Sequence, residues 1–197
     1  MLRIFGYLIF LFFLCCSSLL YAHPHVFIDT KVTVRFDDKG IVGFQIAWLF
    51  DEMFSSMIIG DFDENRDGTF SKREIENIRE GAFSNLKNFH YFTYISVNEK
   101  DCCFSSVTEF TAAITGEKLI YRFFIPCRIP LEGGEKAVKV AAYDESFYCD
   151  IAFAEKDPVS FQNSEGYTVR YEIVQNKKNP IYYGQVFPFE TRLYIRK

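Results

Sequence analysis

The chain is poor in the residues and patterns that mark most enzymes and nucleic-acid binders. Its 197 residues include only three histidines and one tryptophan, and acidic residues outnumber basic ones by 26 to 22, a formal charge of −4. Without a basic excess, nucleic acid is an improbable partner. The six cysteines form no CxxC pair, which argues against a four-cysteine zinc site. No nucleophile-base triad, phosphate-binding glycine loop or recognisably spaced carboxylate pair is present, so binding is favoured over catalysis and the protein is not expected to be an enzyme. Repeats and low-complexity segments are also missing.

Long apolar runs are confined to the amino terminus. Residues 1–22 carry a single basic residue, Arg3, then an apolar run from Ile4 to Tyr21, then the small residue Ala22. This is the pattern of a secretory signal peptide, with periplasmic or secreted location as its consequence. An uncleaved anchor is the alternative, since the run approaches the length that spans a bilayer. Cys15 and Cys16 lie inside the run and lack the small residue that precedes a lipidated cysteine, so no lipoprotein is expected. Cleavage would leave residues 23–197 as a single β-rich domain carrying a helical insertion at about 50–88, and loss of Arg3 would take the charge from −4 to −5. Cys102, Cys103, Cys127 and Cys149 would remain, an even number in a compartment that permits disulfides. Sequence neighbours on a strand point to opposite faces, so Cys102 and Cys103 would each sooner meet Cys127 or Cys149 than one another. Buried free thiols are the other reading.

The strongest local pattern is Asp63 to Glu74, DENRDGTFSKRE, which meets the EF-hand form D-x-[DN]-x-[DN]-G-x5-E. Calcium is a hard cation that takes six to eight oxygens, and Asp63, Asn65 and Asp67 supply short oxygen-bearing side chains at loop positions one, three and five. Gly68 allows the sharp turn at position six. Thr69 would offer its carbonyl, Ser71 a bridging water and Glu74 both carboxylate oxygens, while Phe70 anchors the loop in the core. A register beginning at Asp61 fails, because it puts Arg66 at the turn and Lys72 where a carboxylate is required. The flanks read as helices: Asp51–Phe62 with Met53, Phe54, Met57 and Ile58 on one face, and Ser71–Asn88 with Ile75, Ile78, Phe83 and Leu86.

The rest reads as strands: His25–Phe36, Ile41–Trp48, Phe89–Val97, Phe104–Thr115, Leu119–Ile129, Ala137–Tyr143, Phe147–Phe153, Tyr167–Val174 and Thr191–Ile195. Turn chemistry stands at Asp37-Asp38-Lys39-Gly40, Thr115-Gly116 and Glu132-Gly133-Gly134. The expected class is α+β, mainly antiparallel β as a sandwich or curved sheet, with a helix-loop-helix EF-hand insertion. The many Phe and Tyr belong to its core.

A leader cut after Ala22 would expose His23-Pro24-His25. The new α-amine and the His23 imidazole can chelate a transition metal with His25 nearby, and imidazole suits copper, nickel and zinc. Pro24 has no amide hydrogen to lose, which blocks the chelate that wraps an ion through successive amides. His90, in an aromatic stretch, reads as a hydrogen-bonded core residue. A copper-dependent oxidative enzyme of the histidine-brace kind is the alternative, needing a further imidazole that only His90 could supply. A purely structural calcium-braced binding module is another.

AHPHVFID after the leader, then Trp48 to Ser55, then the loop, then YFTYISVN, together resemble domain-of-unknown-function family 1007. The resemblance runs from His23 to about Phe153 and rests on His23, Pro24, His25, Asp29, Trp48, Asp51, Phe54, Ser55 and the loop positions. It implies an exported bacterial protein of the kind labelled the periplasmic component of an uncharacterised ABC-type transport system, and often found beside nickel and cobalt efflux permeases. The implied partners are an inner-membrane metal permease or an ABC-type transporter. The implied cargo is a transition metal such as nickel, cobalt, copper or zinc. No disulfide framework follows from the resemblance.

Overall fold

The computed structural model describes residues 24–197; the expected signal peptide and His23 lie outside the described residues. Apolar and polar residues alternate along β1 (Val26–Asp37) except at the outward Phe27 and the inward Thr30, which makes it a one-faced strand with Val26, Ile28, Thr30, Val32, Val34 and Phe36 turned inward. It forms a hairpin with β2 (Gly40–Phe50). The turn is held by Asp37, whose Oδ1 accepts the Lys39 and Gly40 amides at 2.9 and 3.1 Å. Gly40 is required there, because a Cβ would stand 2.3 Å from the Ile129 carbonyl oxygen.

β2 is flanked on its other side by β6 (Lys118–Pro130), which also pairs with β5 (Thr108–Thr115). The far edge of β1 is completed by β8 (Cys149–Phe153) and β9 (Val159–Gln162), which run parallel to successive halves of it. The second sheet has the order β10 (Thr168–Gln175), β11 (Phe189–Arg196), β7 (Lys136–Ala142), β3 (Thr93–Val97), β4 (Lys100–Asp101), antiparallel throughout. Ile41, Phe44, Phe123 and Ile125 from the first sheet and Val138, Val140, Leu193 and Ile195 from the second are fully buried in one apolar core. The protein is thus mostly β, in two mainly antiparallel sheets with few helices. Among the described residues no helix is long and apolar enough to cross a membrane.

Helix α1 (Glu52–Phe62) and helix α2 (Lys72–Ile78) follow β2. The expected helix to Asn88 is only partly realised. After Ile78 the turn widens over Arg79–Phe83 and then tightens to 3-10 geometry over Ser84–Phe92. The wide turn carries Phe83 into an aromatic cluster, 4.2 Å from Phe110 and 5.1 Å from Phe123 between ring centres. Three other expectations need correction. The strand starting at Phe89 begins only at Thr93, because His90, Tyr91 and Phe92 take left-handed backbone angles. His90 is exposed on that turn and is not a core residue. Strand β5 starts at Thr108 in place of Phe104.

Candidate metal centre

Position and orientation of the α1–α2 loop trace back to the Trp48–Ser55 stretch. Trp48 is fully buried, 4.8 Å from Phe123 in edge contact. Asp51 then performs two tasks with one carboxylate: Oδ1 accepts the Phe54 amide at 2.9 Å, capping α1, and Oδ2 accepts the Phe27 amide at 2.8 Å, tying the cap to β1. One turn on, the buried Ser55 hydroxyl accepts the Leu119 amide at 2.9 Å, fastening α1 to β6. Phe54 stacks on Phe50 at 4.8 Å. The helix that delivers Asp63 is therefore anchored to the first sheet at three points.

In the loop itself Asp63 and Glu74 fold inward, while Glu64 and Asp67 stay exposed. Asp63 is 6% exposed, and its two oxygens accept the Asp67 amide at 3.2 Å and the Gly68 amide at 3.0 Å. Gly68 has φ +77°, a left-handed angle that a side chain would make costly. Asn65 donates to Asp67 Oδ2 at 2.8 Å, and Asp67 Oδ1 accepts from the Thr69 amide and hydroxyl at 2.8 and 2.7 Å. The Thr69 hydroxyl, with Asn65 assisting, holds the Asp67 carboxyl below the ordinary range. Glu74 is 5% exposed and reaches back across the loop, Oε1 accepting the Glu64 amide at 2.9 Å and Oε2 the Ser71 amide at 2.7 Å. Ser71 Oγ accepts the Glu74 amide in return at 3.3 Å, a reciprocal capping box that starts α2. These Ser71 contacts lower the Glu74 pKa, against burial and the nearby negative charge of Asp67.

Asp63, Asn65, Asp67, Thr69, Ser71 and Glu74 are thus brought into one twelve-residue turn. Their acidic oxygens are bonded to loop amides, and among the described residues no three His, Cys, Asp or Glu side chains form a group that could hold a metal ion. Asp63, Asp67 and Glu74 also have no Lys, Arg or His ion-pair partner among the described residues; the loop's one ion pair joins Arg73 to the exposed Glu64. Of the three, Asp63 and Glu74 are buried, and a buried carboxylate with no counter-charge suits a cation. The donor set of three carboxylates, an amide oxygen, a carbonyl and a hydroxyl is the hard, oxygen-only kind that calcium takes.

His25 is exposed at the start of β1, its amide bonded to the Tyr148 carbonyl at 2.8 Å and its ring 5.0 Å from that of Tyr148. Its expected companion His23 is outside the described residues. Cys102 is disulfide-bonded to Cys127, while Cys103 is an exposed thiol and Cys149 a half-buried one. The sequence patterns pass over Asp144, a buried acid 5% exposed, although Asp-x-Ser is the chemistry of a side-chain turn.

A family model described as a protein of unknown function, DUF1007, matches residues 8–182. The chain belongs to this family. The DUF1007 match takes in both α1 and α2 with the loop between them, the anchoring residues Asp51 and Ser55, and Asp144. An uncharacterised 15.5 kDa protein in the trpE 3' region of Spirochaeta aurantia is 30% identical over 131 residues, 66% of this chain and 93% of the relative. An uncharacterised protein of Haemophilus influenzae is 28% identical over 142 residues, 71% of this chain and 67% of the relative.

Proposed function

We propose that this DUF1007 protein is a non-enzymatic, exported metal-binding accessory protein of the periplasm. Asp63–Glu74 serves as an EF-hand loop in which calcium is held by the side chains of Asp63, Asn65, Asp67 and Glu74, the Thr69 carbonyl and a water on Ser71. The observation that carries the reading is Glu74, the acid at position twelve, folded back over the loop and nearly buried without a counter-charge. A lone loop of this kind beside two sheets acts as a structural brace, with dissociation constants of about 10⁻⁴ to 10⁻³ M sufficing outside the cell. The leader 1–22 directs export, and the new terminus His23-Pro24-His25 captures or passes on nickel, cobalt, copper or zinc to an inner-membrane metal permease or ABC-type transporter.

Calorimetric titration of the mature protein should give a saturable calcium heat that Glu74→Gln loses; equal heats in both remove the site. The terminal reading has its own control. Copper, nickel and zinc binding should weaken when one residue is added before His23, and unchanged affinity removes the amine as a ligand.

A further inference from the structure

Four acidic side chains are buried among the described residues: Asp63, Glu74, Asp144 and Glu190. Glu190 is neutralised by Arg192 at 2.7 Å, and the first two belong to the α1–α2 loop. Asp144 is different. Its oxygens accept from the Ser146 amide and hydroxyl and the Tyr148 and Cys149 amides, at 2.8 to 3.1 Å. All these donors are neutral, so they fix the carboxylate without balancing its charge, and no Lys, Arg or His pairs with it among the described residues. A buried carboxylate left without a counter-ion is costly unless a cation comes to it.

Asp144 also lines a cavity of about 350 Å³ between the first sheet and the helical segment. The walls are aromatic, with Trp48, Phe50, Phe54, Phe92, Tyr121 and Tyr148 among them, and among the described residues Asp144 is the one charged residue in the lining. Phe89 and Tyr148 line it while 55% and 57% exposed, which puts the mouth of the cavity beside them. Aromatic faces attract cations through their quadrupoles, most strongly where water is excluded. A fatty acid or other anion would meet a negative wall with no basic residue to receive it.

We propose that this cavity binds a small organic ammonium cation with an aromatic or short alkyl body, the charge recognised by Asp144 and the ring faces and the body by the apolar wall. At a share of about 20 to 30 Å³ per non-hydrogen atom, the volume holds at most roughly twelve to seventeen such atoms. A negative environment at the same place is felt by the neighbouring thiol: burial, then the charges of Asp144 and Asp51, push Cys149 up to about 12. The site is separate from the α1–α2 loop and does not depend on calcium.

The chain's single tryptophan, Trp48, stands in the wall and reports directly. Tryptophan fluorescence of the full mature chain is titrated with benzyltrimethylammonium, its uncharged carbon isostere neopentylbenzene, and phenylacetate. The cation should give a saturable change with an affinity about tenfold or more above the other two. Asp144→Asn should reduce the cation to the level of the isostere, and Ala82→Met, which fills the cavity and keeps the charge, should abolish binding of both. Should Asp144→Asn fail to fold, the wild-type selectivity and Ala82→Met decide. Equal or tighter binding of the isostere, or no saturable signal from the cation at millimolar concentration, overturns the proposal.

Discussion

Ser55 illustrates how much one side chain settles here. It is fully buried, accepts the Leu119 amide at 2.9 Å and donates to the Phe50 carbonyl at 3.4 Å, so it links the start of α1 to two strands. Ser55→Ala would leave a buried amide without a partner, and the expected loss is about 1–3 kcal/mol, read as a lower urea midpoint at unchanged slope. The thiols give a second prediction. Exposed Cys103 should alkylate at pH 8 in the native protein, whereas Cys149, whose thiol burial pushes up to about 12, should react only on unfolding. Because the folded value is raised, the contribution of neutral Cys149 is complete below the unfolded value of about 8.5 and is lost as pH climbs toward 12. Cys149→Ser should flatten that alkaline loss in urea melts; an identical pH slope contradicts the assignment. At this scale the Asp63–Glu74 turn between two helices was legible because short acidic and amide side chains stand at fixed spacing around a glycine, where each can bond a nearby loop amide. Asp144 was not, since its burial and missing counter-charge arise from strands far away in sequence.

Among the elements, β1, β2, β6 and β7 could be read from their β-branched and aromatic runs bounded by turn residues, because such side chains pack well on a pleated, half-buried surface. Strand β9 could not. Its four residues VSFQ follow Pro158 and become a strand only by pairing with Val32–Arg35, more than a hundred residues earlier. The helix after the loop shows the opposite failure: apolar spacing continues to Leu86, but packing of Phe83 against Phe110 and Phe123 favours a widened turn over regular helix. The capping box at the start of α2 is testable by itself. In the presence of chelator, Ser71→Ala should cost about 1 kcal/mol through loss of the cap. The same hydroxyl depresses the Glu74 pKa, so this support is intact above the ordinary carboxylate value of 4.5 and is lost as pH falls through the lower folded value. The gap between mutant and wild type should therefore narrow in acid, leaving the part that comes from the Glu74 amide bond to the Ser71 hydroxyl, which does not titrate.

For the whole molecule, two sheets share one core and the α1–α2 unit is fastened to the first of them by Asp51, Ser55 and Phe54. An ion that closes the loop thus stabilises the fold as a unit. With a dissociation constant of about 10⁻⁴ to 10⁻³ M, calcium at about 10 mM should add roughly 1.4 to 2.7 kcal/mol to the unfolding free energy, and magnesium much less. Glu74→Gln should remove the increment, and in chelator it should also lose one of the two loop amide bonds, because glutamine has a single acceptor oxygen. The overall class was legible from turn chemistry and aromatic content, but the pairing of strands into two sheets was not, because sheet order depends on contacts that no local pattern encodes.

Calcium in the α1–α2 loop is tested most directly by a crystal structure of the mature protein grown in millimolar calcium, with anomalous data to identify the ion. One calcium should be found bound by the side chains of Asp63, Asn65 and Asp67, the Thr69 carbonyl and both oxygens of Glu74, with Glu74 drawn off the Glu64 and Ser71 amides. A loop with no ion and Glu74 still bonded to those two amides, in the same calcium, would contradict it.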